Sequence, residues 1–124
     1  MTIVLDTTVL IDHLRGNDEA RAAFRVVAHE RLVASVLTRV ELLAGMRGSE
    51  EPAVLELFDN IEWIAVDEDL AERAGMLANR YLRSHPGIDP VDYVIAATTE
   101  QLDATLWTRN LKHFPMFEGL AAPY

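Results

Sequence analysis

Residues 1–12 read MTIVLDTTVLID, and they place an aspartate at the end of a short apolar run. Ile3, Val4 and Leu5 have the composition of a buried strand. Asp6 then brings a carboxylate into an apolar setting, which is costly unless a hydrogen-bond donor or a cation meets it. Two explanations follow: Asp6 caps the next helix, or it belongs to a functional site.

The length and composition of the chain predict one domain, residues 1–124, in which half of the residues are hydrophobic and a quarter are charged. No apolar run reaches the roughly 18 residues of a membrane span, and Asp6 and Asp12 interrupt the N-terminal apolar stretch. We therefore expect no membrane segment or signal peptide, and a cytoplasmic location. Since the chain has no cysteine, disulfides, thiolate chemistry and cysteine-based zinc sites are excluded.

The charge of the chain bears on its partners. A net charge of −9 argues against a protein that coats nucleic acid, because such proteins are normally basic. However, ten of the eleven lysine and arginine residues are arginines, the side chain best suited to bidentate phosphate contacts. An acidic pocket with a small basic rim is compatible with this composition.

Apolar segments of strand length alternate with segments of helical period along the chain. Strands are predicted at 2–6, 32–35, 63–66 and 104–108. Helices are predicted from Val9 to Gly16, at 18–29, at 36–47, from Ser49 onward, at 68–84 and from Pro90 to about Leu102. This alternation predicts an α/β fold with a parallel sheet, helices on both faces and right-handed connections.

Several polar residues have simple structural interpretations. Asn17, Asp67 and Asp89 each precede a predicted helix, where a short polar side chain accepts hydrogen bonds from free backbone N–H groups. His85 and His113 are expected in loops or on the surface. None of these residues requires a functional explanation.

In a parallel sheet of this kind, ligands bind beyond the carboxyl ends of the strands, where the strand order reverses. Asp6 ends the first predicted strand, and Thr108 and Asn110 follow the last one, so these residues are expected at the same edge. Asp92 lies in the first turn of the helix that leads into the last strand. It either faces the same crevice or complements the helix dipole.

Glu41 lies in the middle of a predicted helix, in the segment SVLTRVELLAGM, and borders its apolar stripe. No lysine or arginine lies four residues away, and Gly45 and Gly48 would let this helix approach another backbone closely. Glu41 is either a partly exposed helical glutamate or a site residue. A divalent cation shared with Asp6 and Asp92 would satisfy all three carboxylates, and oxygen ligands favour magnesium or manganese over zinc.

Four segments make the whole pattern recognisable: IVLDTTVLID, SVLTRVELLAG, IDPVDYVIAAT and LWTRNLKHFP. Their order and spacing resemble those of the VapC-type toxins of the PIN-domain family, over essentially the entire chain. The resemblance implies a three-layer α/β/α sandwich with a central parallel sheet of four or five strands.

The same resemblance implies a function. Members of this family are metal-dependent endoribonucleases that cut structured RNA such as tRNA or rRNA loops, form homodimers and are neutralised by a cognate VapB-type antitoxin. We expect the apolar stripe of Val54, Leu57 and Phe58 as a candidate dimer surface.

Carried over position by position, the resemblance assigns Asp6, Glu41 and Asp92 as ligands of Mg²⁺, which Mn²⁺ can replace. Thr108 and either Thr7 or Thr8 match hydroxyl positions around the site. Asn110 stands in the segment where many PIN domains place a fourth acid, which weakens the case for a second metal.

Two alternative functions remain at this point. A PIN-like interaction module without catalysis is suggested by the missing fourth acid. A receiver-type phosphoacceptor domain is suggested by Asp6, Asp67, Thr108 and Lys112. Such a domain, however, needs a pair of acids after the first strand, where this chain has a threonine after Asp6.

Overall fold

The computed structural model describes all 124 residues, and strands alternate with helices as the sequence predicts. The strands are β1 (Thr2–Leu5), β2 (Arg31–Ser35), β3 (Glu62–Ile64) and β4 (Thr105–Trp107). The helices are α1 (Thr7–Leu14), α2 (Asp18–Val26), α3 (Val36–Gly45), α4 (Glu51–Asp59), α5 (Glu68–Tyr81) and α6 (Pro90–Gln101). Two short 3₁₀ helices, Gly48–Glu50 and Leu111–His113, complete the regular structure. None of the helices combines the length and the apolar character needed to cross a membrane.

The four strands form one parallel sheet in the order β3-β2-β1-β4. The chain moves outward from β1 to β2 and β3, and then returns to the other side of β1 to add β4. The strand order therefore reverses at β1. Since Leu5 pairs with Trp107, the residues that follow β1 and β4 emerge side by side.

The sheet separates two apolar cores, because successive side chains of a strand point to opposite faces. Val4 of β1 packs with buried residues of α5 and α6 on one face. Ile3 and Leu5 pack on the other face with residues of α1, α3 and α4. Helices thus cover both faces, which confirms the three-layer α/β/α sandwich.

The three predicted caps are confirmed. The side chain of Asn17 accepts from the backbone N–H of Ala20 at 2.9 Å, and that of Asp67 from Leu70 at 2.8 Å. Asp89 accepts from Val91 at 2.8 Å. These contacts fix the starts of α2, α5 and α6.

Some boundaries differ from the prediction by a few residues. Helix α1 begins at Thr7 instead of Val9, and α3 ends at Gly45 instead of residue 47. The segment from Gly48 to Glu50 is a 3₁₀ turn that precedes α4. A Cβ added at Gly45 or Gly48 would meet no atom within 4 Å. Neither glycine therefore lies in a close helix contact within the chain.

The expected dimer stripe on α4 is part of the core. Val54 is 1% exposed and Phe58 is 6% exposed, and both belong to the apolar cluster shared with α1 and α3. Leu57 packs against the same cluster. The prediction that this stripe forms a dimer surface is therefore wrong. The apolar residues of α4 repeat at helical spacing because they pack into the core of this chain.

Candidate active site

Asp6 follows β1 at the carboxyl edge of the sheet and is 4% exposed. Its Oδ2 accepts a hydrogen bond from Thr108 Oγ1 at 2.7 Å and another from Thr8 Oγ1 at 3.0 Å. Asp6 stands at the N-cap position of α1, but its side chain accepts no backbone N–H of that helix. The capping explanation therefore fails for the Asp6 carboxylate, which is held by two hydroxyl groups.

The two threonine hydroxyls also fix the loop after β4. Thr8 Oγ1 accepts from the backbone N–H of Arg109 at 3.0 Å, and Thr108 Oγ1 accepts from that of Asn110 at 2.9 Å. Each hydroxyl thus receives a backbone N–H on a lone pair and donates its own proton to Asp6 Oδ2, since the carboxylate oxygen is the acceptor. The loop at 108–110 is tied to the Asp6 carboxylate.

Asp92 lies in the first turn of α6 and is 9% exposed. Its Oδ2 is 2.8 Å from His113 Nδ1, and the same Nδ1 is 2.9 Å from the side-chain amide of Asn110. Burial raises the pKa of Asp92 to about 6; the hydrogen bond with His113 opposes this rise, and the charges of Asp89 and Asp6 add to it. Asp6 and Asp92 are thus close enough to repel each other.

Glu41 is half-buried on α3, and its Oε1 accepts a hydrogen bond from Thr7 Oγ1 at 2.6 Å. The partner that the sequence did not reveal is thus a hydroxyl at the start of α1. No three acidic or histidine side chains of the chain converge closely enough to form a metal-binding group. The structure therefore brings Asp6, Thr8, Thr108, Asn110, Asp92 and His113 into one network and leaves Glu41 beside it, on Thr7.

The acids of the site have no lysine or arginine side chain as a partner. None of the lysine and arginine salt bridges involves Asp6, Glu41 or Asp92, and His113 is the one titratable group paired with Asp92. Asp6 and Asp92 are buried carboxylates that repel each other and have no lysine or arginine partner. Their oxygens are the hard ligands that Mg²⁺ and Mn²⁺ prefer. The donors of Asp6 and Asp92 fit such an ion, whereas Glu41 is held by Thr7.

Comparison with known proteins places this chain in a family. The model of the PIN domain matches residues 3–115. The chain belongs to the PIN-domain family. Ribonuclease VapC19 of Mycobacterium tuberculosis is 48% identical to this PIN domain over 123 residues, which is 98% of both chains. Ribonuclease VapC10 of the same organism is 43% identical over 124 residues, covering 98% of this chain and 92% of the relative. The resemblance to VapC-type proteins is confirmed.

The solved structures agree with this assignment. A toxin–antitoxin complex from Klebsiella pneumoniae contains a chain similar to this PIN domain, with a TM-score of 0.83, 28% identity and 98% coverage of both chains. This PIN domain therefore shares its fold with that chain over almost the whole length of both.

His113 is the site residue of this PIN domain that sequence interpretation missed. Asn110 precedes a 3₁₀ helix that ends at His113, and residues three apart in such a helix lie on the same side. The spacing of Asn110 and His113 was therefore a usable signal. That spacing does not predict the contact with Asp92, which is 21 residues away and depends on how the segment after β4 folds back over α6.

Proposed function

We propose that this PIN domain is a metal-dependent endoribonuclease that acts as the toxin of a type II toxin–antitoxin pair. The relatives named ribonucleases support the activity. The observation that carries the proposal is the pair of buried acids, Asp6 and Asp92, which have no lysine or arginine partner at the crevice where β1 and β4 emerge.

Asp6 and Asp92 would hold the cation, Mg²⁺ or in its place Mn²⁺, and Glu41 is the third candidate ligand. When bound, the metal offsets the repulsion between the carboxylates and supplies an activated water near neutral pH. Thr8 and Thr108 keep the Asp6 carboxylate in one orientation through their hydroxyl protons.

Asp92 is suited to receive a proton during hydrolysis. In the metal-free chain the pKa of Asp92 is about 6, so its carboxylate is mostly ionised at neutral pH and can accept either a cation or the proton of a water. His113, 2.8 Å from Asp92 Oδ2, orients that carboxylate and leaves Oδ1 for the reacting side. Attack of water on phosphorus would form the new P–O bond and break the bond to the 3′-oxygen, which takes a proton from solvent, so that a 5′-phosphate and a 3′-hydroxyl remain.

The proposed partners follow from the neighbours. The Klebsiella pneumoniae structure is a toxin–antitoxin complex, which supports a cognate VapB-type antitoxin for this chain. The negative surface of a chain with net charge −9 favours a basic segment of that antitoxin. The substrate is a structured RNA such as a tRNA or rRNA loop, and the toxin acts as a cytoplasmic homodimer.

An interaction module without catalysis is the second candidate, because no complete three-acid metal group is assembled in the structure. It predicts antitoxin binding without RNA cleavage under any metal. The receiver-type alternative is weakened because the Asp67 side chain is used as the cap of α5.

The test is incubation of purified protein with total tRNA and rRNA in Mg²⁺, Mn²⁺ or EDTA, beside Asp6→Asn. Asp59→Asn is the matched control, since it removes one exposed acid outside the site. We expect discrete fragments with wild type and Asp59→Asn in metal, and none in EDTA or with Asp6→Asn. Intact RNA in every metal, together with tight antitoxin binding, would favour the interaction module.

A further inference from the structure

Arg109 is connected to the candidate site through its backbone. It follows Thr108 directly, and its N–H donates to Thr8 Oγ1 at 3.0 Å. Thr8 in turn donates to Asp6. The backbone of Arg109 is therefore held by Thr8, the residue whose hydroxyl contacts the Asp6 carboxylate.

The guanidinium group of Arg109 is held by the last residue of the chain. Its Nη1 donates to the backbone oxygen of Tyr124 at 2.7 Å, and its central carbon lies 4.7 Å from the centre of the Tyr124 ring. The Tyr124 hydroxyl donates to Asp12 Oδ2 on α1 at 2.7 Å. Burial and the Asp12 carboxylate both raise the pKa of Tyr124, so this hydroxyl stays a donor across the physiological range. Tyr124 thus fixes Arg109 to α1.

Three arginines of the chain are already engaged by acidic or aromatic side chains. Arg15 and Arg31 form salt bridges with glutamates, and Arg39 lies over the rings of Phe58 and Trp63. Arg109 is exposed and forms no salt bridge with an aspartate or glutamate side chain.

A guanidinium group has five N–H donors, and the Tyr124 backbone oxygen accepts one hydrogen bond from Arg109. The remaining donors are arranged in a rigid fork that matches two oxygens of a phosphate. Because Tyr124 restrains the side chain before binding, less conformational freedom is lost on contact. In a chain of net charge −9, a guanidinium group with free donors on the residue that follows Thr108 is suited to an anionic ligand.

We propose that Arg109 binds a backbone phosphate of the RNA beside the scissile one, and that Tyr124 is the positioning residue that fixes its guanidinium group. This proposal rests on the proposed nuclease function and names the group that anchors its substrate. Arg109 sets affinity and register, and the Asp6 and Asp92 carboxylates carry the chemistry.

The test measures binding of a fluorescently labelled, short random-sequence RNA over a range of salt concentrations. Ca²⁺ replaces Mg²⁺ so that binding is measured apart from cleavage. Arg109→Ala should weaken binding about tenfold at low salt, as expected for one charge-assisted contact. It should also reduce the slope of log K against log salt by roughly 0.7, the value for one phosphate contact on a single strand.

Three further variants separate the contact from general effects. Arg109→Lys should keep the salt slope of wild type. Arg25→Ala is the matched control, because this exposed arginine lies in the last turn of α2, which leads to the amino end of β2, and it should change neither affinity nor slope. Tyr124→Phe, which loses the bond to Asp12, should weaken binding less than Arg109→Ala and have no additional effect in the Arg109→Ala background.

The outcomes distinguish this proposal from the nuclease function itself. An unchanged salt slope in Arg109→Ala, or an equal loss in Arg25→Ala, would overturn the role of Arg109. Additive effects of the Tyr124 and Arg109 changes would overturn the positioning role of Tyr124. Cleavage in Mg²⁺ is measured separately, so that an active wild type with an indifferent Arg109 would leave the nuclease proposal standing.

Discussion

Acidic residues at the two ends of the parallel sheet differ in burial and in whether a basic group of the chain pairs with them. At the amino end, Arg31 and Glu62 begin β2 and β3 and form a salt bridge at 2.6 Å on the surface. The hydrogen bond from Arg31 lowers the pKa of Glu62. The terminal amine of Met1 likewise pairs with Glu30, whose pKa is lowered by that contact. These acids are ionised, solvated and neutralised by the chain itself.

At the carboxyl end, Asp6 and Asp92 are buried and have no basic side chain beside them apart from His113. The pKa of Asp92 is raised, mainly by burial and in part by the Asp6 charge. Folding has therefore placed like charges together where the chain supplies no cation. Such an arrangement is costly unless another component neutralises it, and that cost distinguishes a binding site from a structural ion pair.

The largest effect is expected from Asp6→Asn. Cleavage should fall by about a hundredfold or more, because in the proposed function Asp6 is one of the charged ligands of the cation, and the variant loses its transition-state stabilisation. The metal-free protein should be as stable as wild type or more stable, since repulsion with Asp92 is relieved. Cleavage rates in Mg²⁺ and urea unfolding in EDTA measure the two effects. A marked loss of stability of Asp6→Asn in EDTA would indicate that Asp6 has a structural role instead.

A smaller effect is expected from His113→Ala. Cleavage should fall by about ten- to a hundredfold, as for other groups that orient a metal ligand. Since the His113 hydrogen bond lowers the pKa of Asp92, its removal should move the pH profile of stability in EDTA, where Asp92 holds no cation, to higher pH. His29→Ala is the matched control, because His29 is exposed near Glu30 at the other end of the sheet. A profile that keeps its wild-type midpoint would contradict the contact.

A pH dependence of stability should follow from Asp92. Its pKa is about 6 in the folded chain and near 3.8 without burial, so folding favours the protonated form. The resulting stabilisation is present below about pH 4 and is lost as the pH rises to about 6. In EDTA, the stability of wild type relative to Asp92→Asn should therefore decline over this window. Parallel curves for the two proteins would refute the raised pKa.

The smallest effect is expected at the amino end of the sheet. Glu62→Gln breaks the pair with Arg31, but exposed ion pairs contribute little to stability and are screened by salt. The melting temperature should change slightly at low salt and not at high salt, and cleavage should be unaffected. A loss of cleavage in Glu62→Gln comparable with that of Asp6→Asn would remove the distinction between the two ends.

The fold was predictable because several local signals agree. Caps such as Asn17, Asp67 and Asp89 mark helix starts, and apolar runs between them mark strands. Alternation of these elements allows few topologies. The apolar stripe of α4 was misassigned because periodicity reports a buried face without saying what covers it.

The site was predictable in part. Asp6 and Thr108 follow paired strands, so topology alone brings them together. The bond between Glu41 and Thr7 was not predictable, because it joins residues 34 positions apart through a specific helix packing. The approach of His113 to Asp92 depends in the same way on the segment after β4.

The most direct test of the central claim is Mn²⁺ binding to the purified chain without RNA, followed by electron paramagnetic resonance and calorimetry. We predict saturable binding in wild type and Asp59→Asn that is lost or strongly weakened in Asp6→Asn and Asp92→Asn. Mn²⁺ binding that persists unchanged in both aspartate variants, or is absent from wild type, would contradict the assignment of these two buried carboxylates as a cation site.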